Sequence, residues 1–112
     1  MTIAVSAFHL ALVAPLFFYV AFTRTSIPAW LFTGLLGLGV FILFYHAYKA
    51  YVKMSEGKGA WVNLIHIFLV APLLIWIGAN KKDTPRKYFE MLLMLAFALT
   101  GYHLYYLMEE SL

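Results

Sequence analysis

The amino-acid sequence predicts an all-α fold: an integral membrane four-helix bundle made of two tandem, parallel helical-hairpin repeats. Two observations predict it, namely four long apolar segments and an internal repeat with an offset of 57 residues. Hydrophobic residues make up 64% of the chain and charged residues only 12%, whereas soluble domains have roughly 25% charged residues. A core built from 112 residues cannot cover so much apolar surface, so lipid is expected to cover it.

The apolar segments predict a single transmembrane domain over residues 1–112. Each segment approaches the roughly 20 residues needed to cross about 30 Å of hydrocarbon at 1.5 Å per residue. The first one is too long for the hydrophobic part of a cleaved signal peptide, so it is expected to be retained. Pro15 and Pro72 predict static kinks within helices one and three. The four helices are expected at about residues 3–23, 28–48, 61–79 and 87–108.

The chain matches itself when it is shifted by 57 residues. Repeat one, residues 3–53, and repeat two, residues 60–110, align without a gap and share 15 identities over 51 positions. Each repeat contains two spans, so the second hairpin enters the membrane from the same side as the first. The matched residues include every histidine and every proline: His9 with His66, His46 with His103, Pro15 with Pro72, and Pro28 with Pro85.

The basic residues predict the orientation in the membrane. An even number of spans places both termini on the same side. Cytoplasmic loops carry an excess of Lys and Arg. Two tight turns, one between helices one and two and the other between helices three and four, lie on one side and carry five basic residues. The side with the termini and the central loop has three. Both termini are therefore predicted to be non-cytoplasmic. The two sets are Arg24, Lys81, Lys82, Arg86 and Lys87 against Lys49, Lys53 and Lys58.

Composition argues against several classes of function. The net charge of +3 comes from short segments beside apolar runs, and no basic stripe is present, so we expect the lipid bilayer and not nucleic acid as a partner. The chain has no cysteine, which excludes thiolate nucleophiles and iron–sulfur clusters. No hydrolytic constellation or phosphate-cradling glycine loop is visible. The sequence therefore predicts no self-sufficient enzyme.

The four histidines are predicted to lie at one depth and to act as metal ligands. His9 and His66 lie near the starts of helices one and three, and His46 and His103 near the ends of helices two and four. Starts and ends of antiparallel helices lie on the same side of the membrane, so the rings are expected to form one interior layer below the interface. Ionisable side chains inside a membrane usually mark a functional site.

Polar and aromatic residues accompany these histidines. Ser6 and Asn63, which are repeat equivalents, each precede a histidine by three residues, and Tyr45 and Tyr102 each precede one directly. Ser6 and Asn63 are expected to orient an imidazole by hydrogen bonding, as groups behind metal ligands do. All four residues are predicted to contribute to a cofactor site.

Three interpretations of the histidine layer stay open. The first is a metal-centred cofactor for electron transfer. It would be either a transition metal ion or haem b held by two histidines, such as His9 with His66 or His46 with His103. A bare divalent ion on neutral rings buries a double charge, which favours the haem. In the second, the rings tie the helices together in a structural subunit of a larger membrane complex. The third is a proton or ion path in a homo-oligomer.

Overall fold

Four long helices account for all regular structure in residues 3–111, the part of the chain that the computed structural model describes. All four are long and apolar enough to cross a membrane. The predicted all-helical class and the four apolar helices are therefore confirmed, although the helices are longer than predicted. In order, α1 is Ile3–Ser26, α2 is Ala29–Ser55, α3 is Trp61–Asp83 and α4 is Arg86–Ser111.

Helices α1 and α3 change their hydrogen-bonding pattern just before a proline. A π-helical turn occupies His9–Val13 in α1 and His66–Val70 in α3. In these turns the N–H of Ala14 donates to the carbonyl of His9, and the N–H of Ala71 donates to the carbonyl of His66. A proline ring clashes with the carbonyl four residues earlier, and the wider turn relieves that clash. The prolines thus produce π turns that begin at a histidine.

Helix α2 runs well beyond the predicted end at residue 48. It ends in a Schellman motif, in which Gly57 has a φ of 73°. The N–H of Lys58 donates to the carbonyl of Lys53 at 2.8 Å, and the N–H of Gly57 donates to that of Met54 at 3.1 Å. Hydropathy indicates where a helix stops being apolar, whereas Gly57 indicates where the backbone hydrogen bonds of the helix end.

The C-terminal ends of α1 and α3 share an unusual backbone conformation. Each ends in a 3-10 turn, Arg24–Ser26 or Lys81–Asp83. The first residue of each turn has a positive φ, 55° for Arg24 and 53° for Lys81. This conformation is costly for residues other than glycine. It occurs twice, at positions 57 residues apart.

The helices form two compact units. Unit 1 consists of the N-terminal segment up to Arg24 and the C-terminal segment from Pro85, and so pairs α1 with α4. Unit 2 consists of residues 25–84 and pairs α2 with α3. Equivalent positions of the repeat are almost fully buried in both. They are Phe17, Val20, Phe89 and Leu92 in unit 1, and Leu74, Ile77, Phe32 and Leu35 in unit 2.

Two glycines allow α2 and α3 to approach closely within unit 2. A Cβ atom on Gly78 would lie 2.5 Å from the backbone nitrogen of Leu36. A Cβ atom on Gly39 would lie 3.0 Å from the backbone nitrogen of Ile75. A side chain at Gly78 would meet backbone atoms and force a helix to move, whereas the nearest contact of one at Gly39 would be the Ile75 side chain at 2.8 Å. By contrast, a Cβ atom on Gly34 would have nothing within 4 Å.

Candidate metal-binding site

Each unit contains one pair of stacked histidines. In unit 1 the rings of His9 and His103 have centroids 4.3 Å apart and an interplanar angle of 18°. In unit 2 the rings of His46 and His66 have centroids 4.0 Å apart and an angle of 13°. His103 is buried and the other three are partly buried. The structure thus brings the predicted ligands together two by two, and a single layer of four stays a prediction.

One ring of each pair bonds to its own helix. The Nδ1 atom of His9 lies 2.8 Å from the carbonyl oxygen of Val5, and that of His66 lies 2.8 Å from the carbonyl oxygen of Val62. A carbonyl oxygen only accepts, so Nδ1 must carry the proton in both rings. The lone pair of each neutral imidazole is consequently on Nε2.

The other ring of each pair bonds to the facing helix. The Nδ1 atom of His46 donates to Oδ1 of Asn63 at 2.8 Å, and that of His103 lies 3.2 Å from Oγ of Ser6. Ser6 and Asn63 therefore contact the histidine of the neighbouring helix. The histidine three residues further along their own helix donates instead to the backbone carbonyl one turn before it. The bond to Asn63 gives His46 the same tautomer, with the lone pair on Nε2.

Asn63 brings an unsatisfied donor to the histidine pair of unit 2. The residue is only 4% exposed, and its Nδ2 atom has no acceptor within residues 3–109. Leaving a buried donor unpaired costs about 1–3 kcal/mol. The equivalent residue in unit 1, Ser6, has a hydroxyl and no such second donor group. An acceptor atom of a bound ligand would satisfy Nδ2 of Asn63.

Tyr45 and Tyr102 pack against the histidines that follow them. The ring of Tyr45 meets that of His46 edge to face at 5.1 Å, and Tyr102 meets His103 in the same way at 5.3 Å. Such contacts restrict the orientation of the imidazole. The structure therefore places all four predicted accessory residues beside a histidine.

The set of donor atoms limits what each pair can bind. No group of three or more His, Cys, Asp or Glu side chains in the described part of the chain is arranged to hold a metal. Each unit thus supplies two imidazoles. Two histidines that hold one haem would need the iron between them and in the plane of both rings. Rings stacked face to face do not meet this condition. The haem pairs predicted from sequence join histidines of different units and stay predictions.

Sequence reasoning missed the carbonyl acceptors of Val5 and Val62. The signal was present, because a valine stands four residues before a histidine at the same place in both repeats. On a helix this spacing puts the imidazole directly above the carbonyl of the preceding turn. The valine side chains carry no polar group, and so the pattern by itself does not assign these residues to the site.

By its fold the chain is an all-helical protein with four candidate membrane spans. No protein-family model, curated protein or solved structure matches it.

Proposed function

We propose that the chain is an integral membrane protein in which the stacked histidine pairs bind a transition metal ion or metal-centred cofactor through Nε2. The observation that carries this proposal is the repeated hydrogen-bond pattern behind the rings. In each of His9, His46 and His66, the Nδ1–H group donates to an oxygen atom of another residue. Histidines that ligate metals almost always donate their other N–H in this way, which fixes the tautomer and the ring orientation.

The surroundings of the pairs support metal binding by neutral imidazole. This group is the commonest protein ligand for metals and suits copper, zinc and iron. Rings stacked 4.0–4.3 Å apart do not share a plane, so one ring of a pair must rotate before both Nε2 atoms reach the same ion. A bis-histidine haem b between them would in addition require the two helices to move apart, and this favours an ion inside a unit. Electron transfer is the function that a copper or iron centre would support. Haem b is the alternative cofactor, recognisable by its visible absorption.

A structural function is the competing proposal, and the ring geometry favours it too. Stacking and cross-helix hydrogen bonds join α1 to α4 and α2 to α3. Rings that act only in this way would stabilise a subunit of a larger membrane complex or a homo-oligomer without binding metal. The two proposals differ in what the protein contains after purification, and not in its fold.

The membrane part of the proposal predicts that both termini and the central loop face the non-cytoplasmic side. The chain has no cysteine, so the variants Thr2→Cys, Lys58→Cys and Lys82→Cys each carry a single thiol. In sealed vesicles of known orientation, an impermeant maleimide should label positions 2 and 58 from one side and position 82 only from the other. Labelling of positions 2 and 58 from opposite sides would contradict the parallel repeats, and labelling of all three from both sides would contradict insertion.

Nuclear magnetic resonance of ¹⁵N-labelled histidine tests ligation through Nε2. In metal-free protein in mild detergent, the spectra should show protonated Nδ1 and unprotonated Nε2 for His9, His46 and His66. Added zinc should shift the Nε2 resonances of the histidines and leave the Nδ1 protons in place, because Nδ1 stays bonded to its oxygen. Rings protonated on Nε2, or resonances that do not respond to zinc, would contradict the proposal.

A further inference from the structure

A cleft of about 190 Å³ lies between the end of α1 and the start of α4 in unit 1. Its apolar lining residues include Phe22, Phe89 and Leu93. Its charged lining residues are Arg24, Arg86 and Glu90. A cleft lined by both apolar and cationic residues matches a molecule with a hydrocarbon chain and an anionic head.

The charges in the cleft leave one guanidinium for an anion. Nε of Arg86 lies 3.1 Å from Oε1 of Glu90, and both side chains are largely exposed. Arg24 makes no ion pair with any of residues 3–109, whose side chains the structure describes. Two arginines and one glutamate give a net charge of +1. Arginine binds phosphate oxygens in a bidentate manner, and the N-terminus of α4 adds a favourable dipole.

We propose that this cleft binds the phosphodiester of an anionic phospholipid, with one acyl chain along Phe22 and Leu93. The inference rests on the membrane insertion proposed above and is independent of metal binding. The carboxylate of Glu90 repels a second negative charge, so a singly charged phosphodiester is preferred over a doubly charged phosphomonoester. The net charge likewise favours an anionic lipid over a zwitterionic one.

The equivalent place in unit 2 lacks this combination of groups. Lys81 stands where unit 1 has Arg24, and Ala29 and Thr33 stand where it has Arg86 and Glu90. Unit 2 also has Gly78 at the position of Ala21, and the helices there approach too closely for a Cβ atom. Lys81 and its neighbour therefore provide a matched control.

Lipid binding by the full-length protein in detergent micelles tests the proposal. Phosphatidylglycerol should bind at least about tenfold more tightly than phosphatidylcholine. The double variant Arg24→Gln/Arg86→Gln should lose most of this preference, because both guanidinium groups are removed. The double variant Lys81→Gln/Lys82→Gln removes the same charge from the other tight turn and should bind within about twofold of wild type. Glu90→Gln should increase the affinity for a phosphomonoester, phosphatidic acid, more than that for phosphatidylglycerol.

Three results would overturn the proposal. If both double variants weaken binding equally, the attraction is a diffuse effect of surface charge. If inorganic phosphate displaces the lipid at similar concentrations, the site recognises phosphate and not a lipid. If wild type binds both lipids alike, there is no selective site. Because binding is measured in micelles, these results are independent of the vesicle labelling, so a failure of membrane insertion is recognised separately.

Discussion

Replacing His46 and His103 together with alanine is expected to reduce the transition-metal content of the purified protein to less than about a tenth of wild type. Each substitution removes one ring of a stacked pair and leaves His66 or His9 as a lone imidazole. Loss of a hydrogen-bonding group behind a ligand alone typically costs 10–100-fold in affinity, and loss of the ligand itself costs at least as much. Metal per protein is measured by elemental analysis after extraction from the membrane in mild detergent.

A second double variant separates ligation from packing. Ser6→Ala/Asn63→Ala removes the cross-helix hydrogen-bond partners of His103 and His46 but keeps all four imidazoles. It should weaken metal binding less than the histidine variant, and added metal should restore full loading. A purely structural function predicts a different result, in which both variants unfold at lower temperature and the bound metal does not change. That result would contradict the metal site.

Replacing Gly78 with alanine is expected to lower the free energy of unfolding by about 1–3 kcal/mol. The new Cβ atom would lie 2.5 Å from the nitrogen of Leu36 and 2.7 Å from the carbonyl oxygen of Phe32. Both are backbone atoms, so no change of rotamer relieves the clash and α2 must move away from α3. Unfolding is measured by heating or by a denaturing-detergent titration, with helicity as the signal.

Gly34→Ala is the control for this substitution, because nothing lies within 4 Å of its added Cβ atom. It should leave stability unchanged or raise it by up to about 1 kcal/mol, since it creates no clash and alanine favours a helix more than glycine does. If Gly78→Ala proves as stable as Gly34→Ala, then α2 and α3 do not pack as closely as described.

Hydropathy alone was sufficient to predict the helices, but not where they end. Four apolar segments of the right length could hardly form anything else in a membrane, because every backbone polar group must be paired there. The extension of α2 to Ser55 depends on Gly57, which adopts a positive φ and closes the Schellman motif. The π turns before Pro15 and Pro72 depend on how a proline clash is relieved, which hydropathy does not report.

The repeat singles out the histidines of the candidate site but does not predict which of them meet. The positions of the four histidines within the repeats predict that they lie at the same depth, but depth does not determine which helices are neighbours. The pairing of His9 with His103 follows from the packing of α1 on α4. For the same reason, spacing on one helix suggested that Asn63 would act beside His66, whereas its Oδ1 atom accepts from His46.

Elemental analysis combined with visible absorption of the wild-type protein is the most direct test of the histidine site. The measurement uses protein extracted in mild detergent and purified without chelators. We predict stoichiometric copper, zinc or iron and no Soret band. A Soret band with stoichiometric iron would instead identify the metal-centred cofactor as haem b. Colourless, metal-free protein that also fails to bind added copper or zinc would contradict the proposed function and leave the histidine pairs with a structural role.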